Sequence, residues 1–184
     1  PLELAWSFSP EVPEGKRALP IEASPVVVDG VVYVGDQGGK FFAINLEDGE
    51  KLWEFEAASS ITGPAAVFGS RVFFGDTSGI FYALNTELGV EAWRFESEDK
   101  IEGGVNILES EDGTVRVFFG SHDYFLYCLN AKDGTLLWKH ETENYIMATP
   151  SLVNSGGQQA VTFGGCDGVF HIVPADGEGE PRSI

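Results

Sequence analysis

One pattern returns four times along the 184 residues, at a step of 40 to 45: an apolar run closed by a glycine, a polar turn, then an aromatic-rich run. A period of that size confines the chain to stacked supersecondary units, because one unit cannot bury its apolar face alone. The glycines are Gly35, Gly75, Gly120 and Gly164, closing the runs 31–34, 72–74, 115–119 and 160–163. The turns after them, such as Gly35-Asp-Gln-Gly-Gly39 and Gly75-Asp-Thr-Ser-Gly79, are rich in residues that tolerate positive φ or bond their own backbone, and so read as hairpin loops.

Each turn leads into a further apolar run, as in Phe41-Phe42-Ala43-Ile44-Asn45 and Phe81-Tyr82-Ala83-Leu84-Asn85. Eight residues after the marker glycine come Ala43, Ala83, Cys128 and Ile172, a column that is small in three repeats of four, as a strand near a crowded axis requires. A second turn then ends on Gly49, Gly89 or Gly134, and four residues later stand Trp53, Trp93 and Trp138. Glycine there suits the left-handed position of a short hairpin. Trp53-Glu-Phe-Glu56 and its copies alternate as a strand with one wet face should. With a short run before each marker glycine, opened by Ser24-Pro25, Gly63-Pro64, Gly103-Gly104 or Thr149-Pro150, the unit has four strands. Four strands per step is the blade of an all-β propeller. The 23 glycines, nine prolines and 14 phenylalanines agree with many short strands and tight turns.

The repeats divide the chain into an orphan outer strand over 4–9, a loop over 10–23, blades over 24–57, 63–97 and 103–142, and a partial blade over 149–177. The orphan is Trp6-Ser-Phe-Ser9, which matches Trp53-Glu-Phe-Glu56 but has no blade in front of it. In the fourth repeat a four-residue step from Gly177 reaches Pro181 rather than a tryptophan, so the last strand is expected to be absent or degraded. Sixteen strands, or four blade equivalents, fit a fragment or half of a seven- or eight-bladed ring, the favoured reading, or a closed four-bladed ring. The favoured reading implies self-association or ring completion by further blades, since an open arc exposes strand edges and apolar faces. Lys16-Arg17, the one adjacent basic pair, reads as the tip of a solvated loop.

A net charge of −18, from 29 acidic and 11 basic residues, repels phosphate backbones and anionic lipid surfaces, which argues against a nucleic-acid partner. Acidic groups such as Glu96, Glu98, Asp99, Glu102 and Glu109, Glu111, Asp112 read as a solvated rim. No stretch is apolar for long enough to span a bilayer, and no direct membrane insertion is expected. The sequence opens at Pro1 without an initiator Met, as a processed or trimmed piece would, so a leader could have been removed. Cys128 and Cys166 have no metal-ligand spacing; Cys128 reads as a small buried residue and Cys166 as a turn residue.

The segment Ala43-x-Asn45-x-x-Asp48-Gly49-x-x-x-Trp53 resembles the tryptophan-docking motif of quinoprotein-like (PQQ-repeat) β-propellers, and the match recurs through Ala83, Asn85, Gly89, Trp93 and through Cys128, Asn130, Gly134, Trp138. Asn stands where the family has Asp, and the threonine position holds Asp48, Leu88 and Asp133. The resemblance implies that Trp6, Trp53, Trp93 and Trp138, with Ala43, Ala83, Cys128, Gly49, Gly89 and Gly134, are structural interblade contacts. It also implies a bacterial periplasmic or extracellular setting.

No residue is assigned to catalysis, cofactor or metal binding. Asp36, Asp76, Asp123 and Asp167 recur in successive turns and tempt a calcium assignment, but one carboxylate per blade makes a poor cage, and each is expected to bond its own turn. His171 falls in the column of Phe42, Tyr82 and Tyr127, and His140 in that of Phe55 and Phe95, so both read as substitutes for packed aromatics; His122 is in a turn. The favoured function is a non-catalytic propeller with protein partners, similar to the lipoproteins of outer-membrane β-barrel assembly. The alternatives are a segment of a PQQ- and calcium-dependent alcohol or sugar dehydrogenase, whose vicinal cysteine pair this stretch lacks, and the sensor domain of a signalling protein.

Overall fold

A computed structural model describes every residue except 1, 2, 13, 14, 16, 111 and 156. Lys16 of the basic pair and Glu111 of the acidic rim thus lie outside the described residues. There is no helix among those described; sixteen strands form four antiparallel sheets of four, each a meander in chain order. The first sheet runs β1 (Val26–Val28), β2 (Val31–Gly35), β3 (Lys40–Asn45) and β4 (Lys51–Glu56). The second is β5 (Ala66–Phe68), β6 (Arg71–Gly75), β7 (Ile80–Asn85) and β8 (Glu91–Glu96). The third is β9 (Asn106–Glu109), β10 (Val115–Gly120), β11 (Phe125–Asn130) and β12 (Leu136–Glu141). The fourth is β13 (Ser151–Ser155), β14 (Gln158–Gly164), β15 (Phe170–Pro174) and β16 (Arg182–Ser183).

The two middle strands of the first three blades are buried on both faces, four residues in a row, while the outer strands alternate. Blades stacked face to face explain this, since a strand between two neighbours has no wet side and an outer strand keeps one. Three apolar clusters fill the gaps between successive blades: Tyr33 and Phe41 with Phe74 and Leu84, then Phe81 and Ala83 with Phe119 and Leu129, then Phe118 and Leu126 with Val161 and Phe163. Two of the gaps hold parallel ring stacks, Phe41 on Phe74 at 4.0 Å and Phe81 on Phe119 at 4.2 Å. Among the described residues no sheet pairs with another, so hydrogen bonds do not close the four blades into a ring.

The fourth blade keeps a degraded outer strand, the two-residue β16, with Ile172 opposite Arg182 in the register that sets Ala43 opposite Trp53. Arg182 therefore takes the tryptophan position. Leu4–Ser9, by contrast, joins no ladder: Trp6 and Phe8 pack on the first blade over Val32, Val34, Phe42 and Ile44, with no strand beside their own backbone.

Candidate functional site

The tryptophans of three outer strands reach across to the next blade. Indole Nε1 of Trp53 donates to the Thr86 carbonyl at 2.8 Å, that of Trp93 to Ala131 at 3.1 Å and that of Trp138 to Ala175 at 3.3 Å. Trp6 makes the same bond to Leu46 at 2.8 Å. Each indole lies on the glycine of the turn it bonds: a Cβ on Gly49, Gly89, Gly134 or Gly177 would stand between 2.4 and 2.7 Å from the ring of Trp6, Trp53, Trp93 or Trp138. Ala43, Ala83 and Cys128 are wholly buried opposite Trp53, Trp93 and Trp138, and the ladder bulges one residue beyond each of these pairs. Burial pushes the Cys128 thiol up to about 12, which keeps it protonated and inert. Cys166 is exposed.

The recurring turn carboxylates are spent on their own turns and on the connections from the preceding blades. Asp36 Oδ1 accepts the backbone N–H groups of Gly38 and Lys40, both at 2.8 Å. Asp76, fully buried, accepts from Ser78 and Ile80 on Oδ1 and from Ser59 N–H and the Tyr82 hydroxyl on Oδ2. Asp123 takes the Phe125 N–H, the Glu98 N–H and the Tyr127 hydroxyl at 2.6 Å, and Asp167 takes the Val169 N–H and His171 Nε2 at 2.9 Å. Burial first, with the neighbouring aspartate's charge adding to it, pushes the Tyr82 phenol up to about 12, and that of Tyr127 is raised for the same reasons. A calcium ion in these turns would have to displace the bonds that shape them. Among the described residues no three His, Cys, Asp or Glu side chains are grouped to hold a metal.

His140 and His171 stand edge to face at 5.6 Å across the third gap, where the first and second gaps set Phe55 against Tyr82 and Phe95 against Tyr127 at 5.4 Å. Burial, then the neighbouring His171, holds the His140 imidazole below its ordinary value, and its Nε2 is buried without a hydrogen bond.

The third blade also carries a feature that spacing alone did not single out. Tyr124 has φ 76°, in the position that glycine fills in the other blades as Gly39, Gly79 and Gly168. A non-glycine residue with that φ is strained by about 1–2 kcal/mol. Thr142 holds it there, donating both its N–H and its hydroxyl to the Tyr124 carbonyl at 2.8 Å. The Tyr124 ring remains 40% exposed and leans on Tyr145, 41% exposed, which stacks on His122 at 4.8 Å. His122 Nε2 sits 2.9 Å from Glu102 Oε2, off the line of a hydrogen bond. The result is an exposed pair of tyrosine rings backed by His122, with Glu102 beside them. The signal for it in the sequence was an aromatic residue in a column of glycines.

A family profile described as outer membrane protein assembly factor BamB matches residues 3–61 and 50–179. Quinohemoprotein alcohol dehydrogenase from Comamonas testosteroni is 38% identical over 55 residues, which is 30% of this chain and 7% of the dehydrogenase. Among solved structures, BamB from Moraxella catarrhalis superposes with a TM-score of 0.71 at 21% identity, covering 87% of this chain and 52% of BamB. The computationally designed Ika4 protein superposes with a TM-score of 0.69 at 19% identity, covering 91% of this chain and 99% of Ika4. This chain thus spans about half of the BamB structure and a small part of the dehydrogenase. By the profile that runs through all four blades, the chain belongs to the PQQ-repeat β-propeller family described as outer membrane protein assembly factor BamB.

Proposed function

We propose that this propeller segment is a binding scaffold for protein partners, acting outside the cytoplasm in the manner its family's description implies, with the Tyr124–Tyr145 platform as the contact surface. The observation that carries the reading is the strained, exposed Tyr124. Glycine would relieve the strain, so the side chain needs a reason to be displayed. Exposed tyrosines offer large contact area at low conformational cost, and a chain of charge −18 favours a basic partner segment whose cations rest on the rings beside Glu102.

A second reading, part of a PQQ- and calcium-dependent alcohol dehydrogenase, is favoured by the 38% identity over 55 residues. A calorimetric titration with pyrroloquinoline quinone and calcium separates the two: saturable binding supports the dehydrogenase, and no heat of binding supports the scaffold. Replacing Tyr124 by Gly tests the platform. The variant should gain about 1 kcal/mol from the relieved backbone and lose affinity for basic, aromatic-containing peptides. Unchanged peptide binding would remove the platform from the proposal.

A further inference from the structure

We propose that the two open faces of the arc fit one another, so that two copies of this chain close head to tail into an eight-bladed ring. Each filled gap is locked by one repeated contact, the marker glycine of one blade against an isoleucine at the start of the next. A Cβ on Gly35, Gly75 or Gly120 would stand 2.2 to 2.3 Å from Ile61, Ile101 or Ile146, and all three isoleucines are fully buried. At the ends the lock is split. Gly164 has no atom within 4 Å of its Cβ direction, an open socket. Ile21 is the unused plug: the Gln37 N–H bonds the Pro20 carbonyl just as the Thr77 N–H bonds that of Ser60, which puts Ile21 in the register of Ile61, yet it is 41% exposed.

The rest of the two faces is complementary in the same way. Phe170 on the fourth blade, in the position of Phe41, is 45% exposed where Phe41 is 1%. Facing it in the ring would be the first blade of the other copy, which already carries Trp6 docked on its own Gly49. Leu4–Ser9 around that tryptophan has an outer strand's sequence and no ladder, while β15 is paired to only a two-residue strand with Arg182 in the tryptophan position. In the ring, Leu4–Ser9 of one copy takes the place of β16 of the other and keeps its tryptophan dock. The joint continues an interface that the chain already makes three times, which is why a second copy is the occupant that fits.

The test is the mass of the 184-residue chain in solution, by light scattering behind a sizing column over a range of concentrations, on the unmodified protein, Gly164→Val and Ile21→Glu. The expected result is twice 19.9 kDa for the first and 19.9 kDa for both variants. Gly164 has open space and no positive φ, so valine leaves the isolated arc folded, which far-ultraviolet circular dichroism checks. A monomer at every concentration overturns the proposal and assigns the faces to other blades; a dimer that survives both substitutions overturns the head-to-tail joint.

Discussion

Replacing Gly89 by alanine should destabilise the protein through Trp53, and by an amount that the structure allows to be separated from backbone strain. Gly89 has φ +65°, and an added Cβ would lie 2.6 Å from Trp53 Cδ2 and Cε3. The left-handed conformation costs an L-residue about 1–2 kcal/mol. Forcing a methyl into a filled contact adds about 1–3 kcal/mol. The total is about 2–5 kcal/mol. Gly69 supplies the control, since its φ is +55° and nothing lies within 4 Å of its Cβ direction, so Gly69→Ala should bear the backbone cost alone. The difference between the two variants, about 1–3 kcal/mol, measures the dock. Equilibrium urea unfolding followed by tryptophan fluorescence and circular dichroism gives both values. Combining Gly89→Ala with Trp53→Ala should cost less than the sum of the two, because the ring that clashes is gone. Equal losses for Gly89→Ala and Gly69→Ala, within about 0.5 kcal/mol, would refute the idea that the indole lies on that turn closely enough to exclude a methyl.

The other outcomes follow from buried polar groups. His140→Phe restores the ring that Phe55 and Phe95 provide in sister blades and removes a buried nitrogen without a partner, so it should stabilise by about 1–2 kcal/mol at pH 7. Because the folded-state His140 titrates below its unfolded value, the unfolded chain binds the proton more readily; stability is complete above about pH 6.5 and declines as pH falls through the lowered folded value. Thermal melts at pH 8 and pH 5.5 should show that decline in the parent and less of it in His140→Phe; identical pH slopes would count against the assignment. Asp76→Ala leaves the Tyr82 hydroxyl and the Ser59 and Ile80 N–H groups without their acceptor and should cost about 3 kcal/mol or more in urea unfolding, against under about 1 kcal/mol for the exposed Asp48→Ala.

The blades were legible in the sequence because each level of it agreed: glycine turns, paired apolar runs and one tryptophan per outer strand all repeat in register. The tryptophan position of the degraded fourth outer strand was misplaced through the choice of ruler. Counted four residues from Gly177, the tryptophan position falls on Pro181; counted eighteen from Gly164, as Trp53, Trp93 and Trp138 stand from their own marker glycines, it falls on Arg182. The second ruler is the better one because β14 and β15 are fixed to each other by a five-pair ladder, whereas turn length drifts freely at the surface. Leu4–Ser9 shows the opposite failure. Its residues read as a strand, and a strand needs a partner edge as well as a pattern.

What the sequence could not give was convergence between repeats that differ in spacing. The four turn aspartates recur in the sequence, but Asp36 and Asp76 follow their marker glycine directly while Asp123 and Asp167 come three residues after theirs, so their spacing does not show a shared target. In the fold Asp76 and Asp123 nevertheless reach the same hydroxyl position, Tyr82 and Tyr127, and Asp167 reaches the nitrogen of His171 in that column. The buried hydrogen-bonding group on β7, β11 and β15 is the constraint, and a carboxylate from either turn position satisfies it. In the first blade the column holds Phe42, which has nothing to donate, and there Asp36 bonds only backbone N–H groups. The carboxylates of the second, third and fourth turns thus meet a buried donor on the neighbouring strand, a need that does not explain Tyr124.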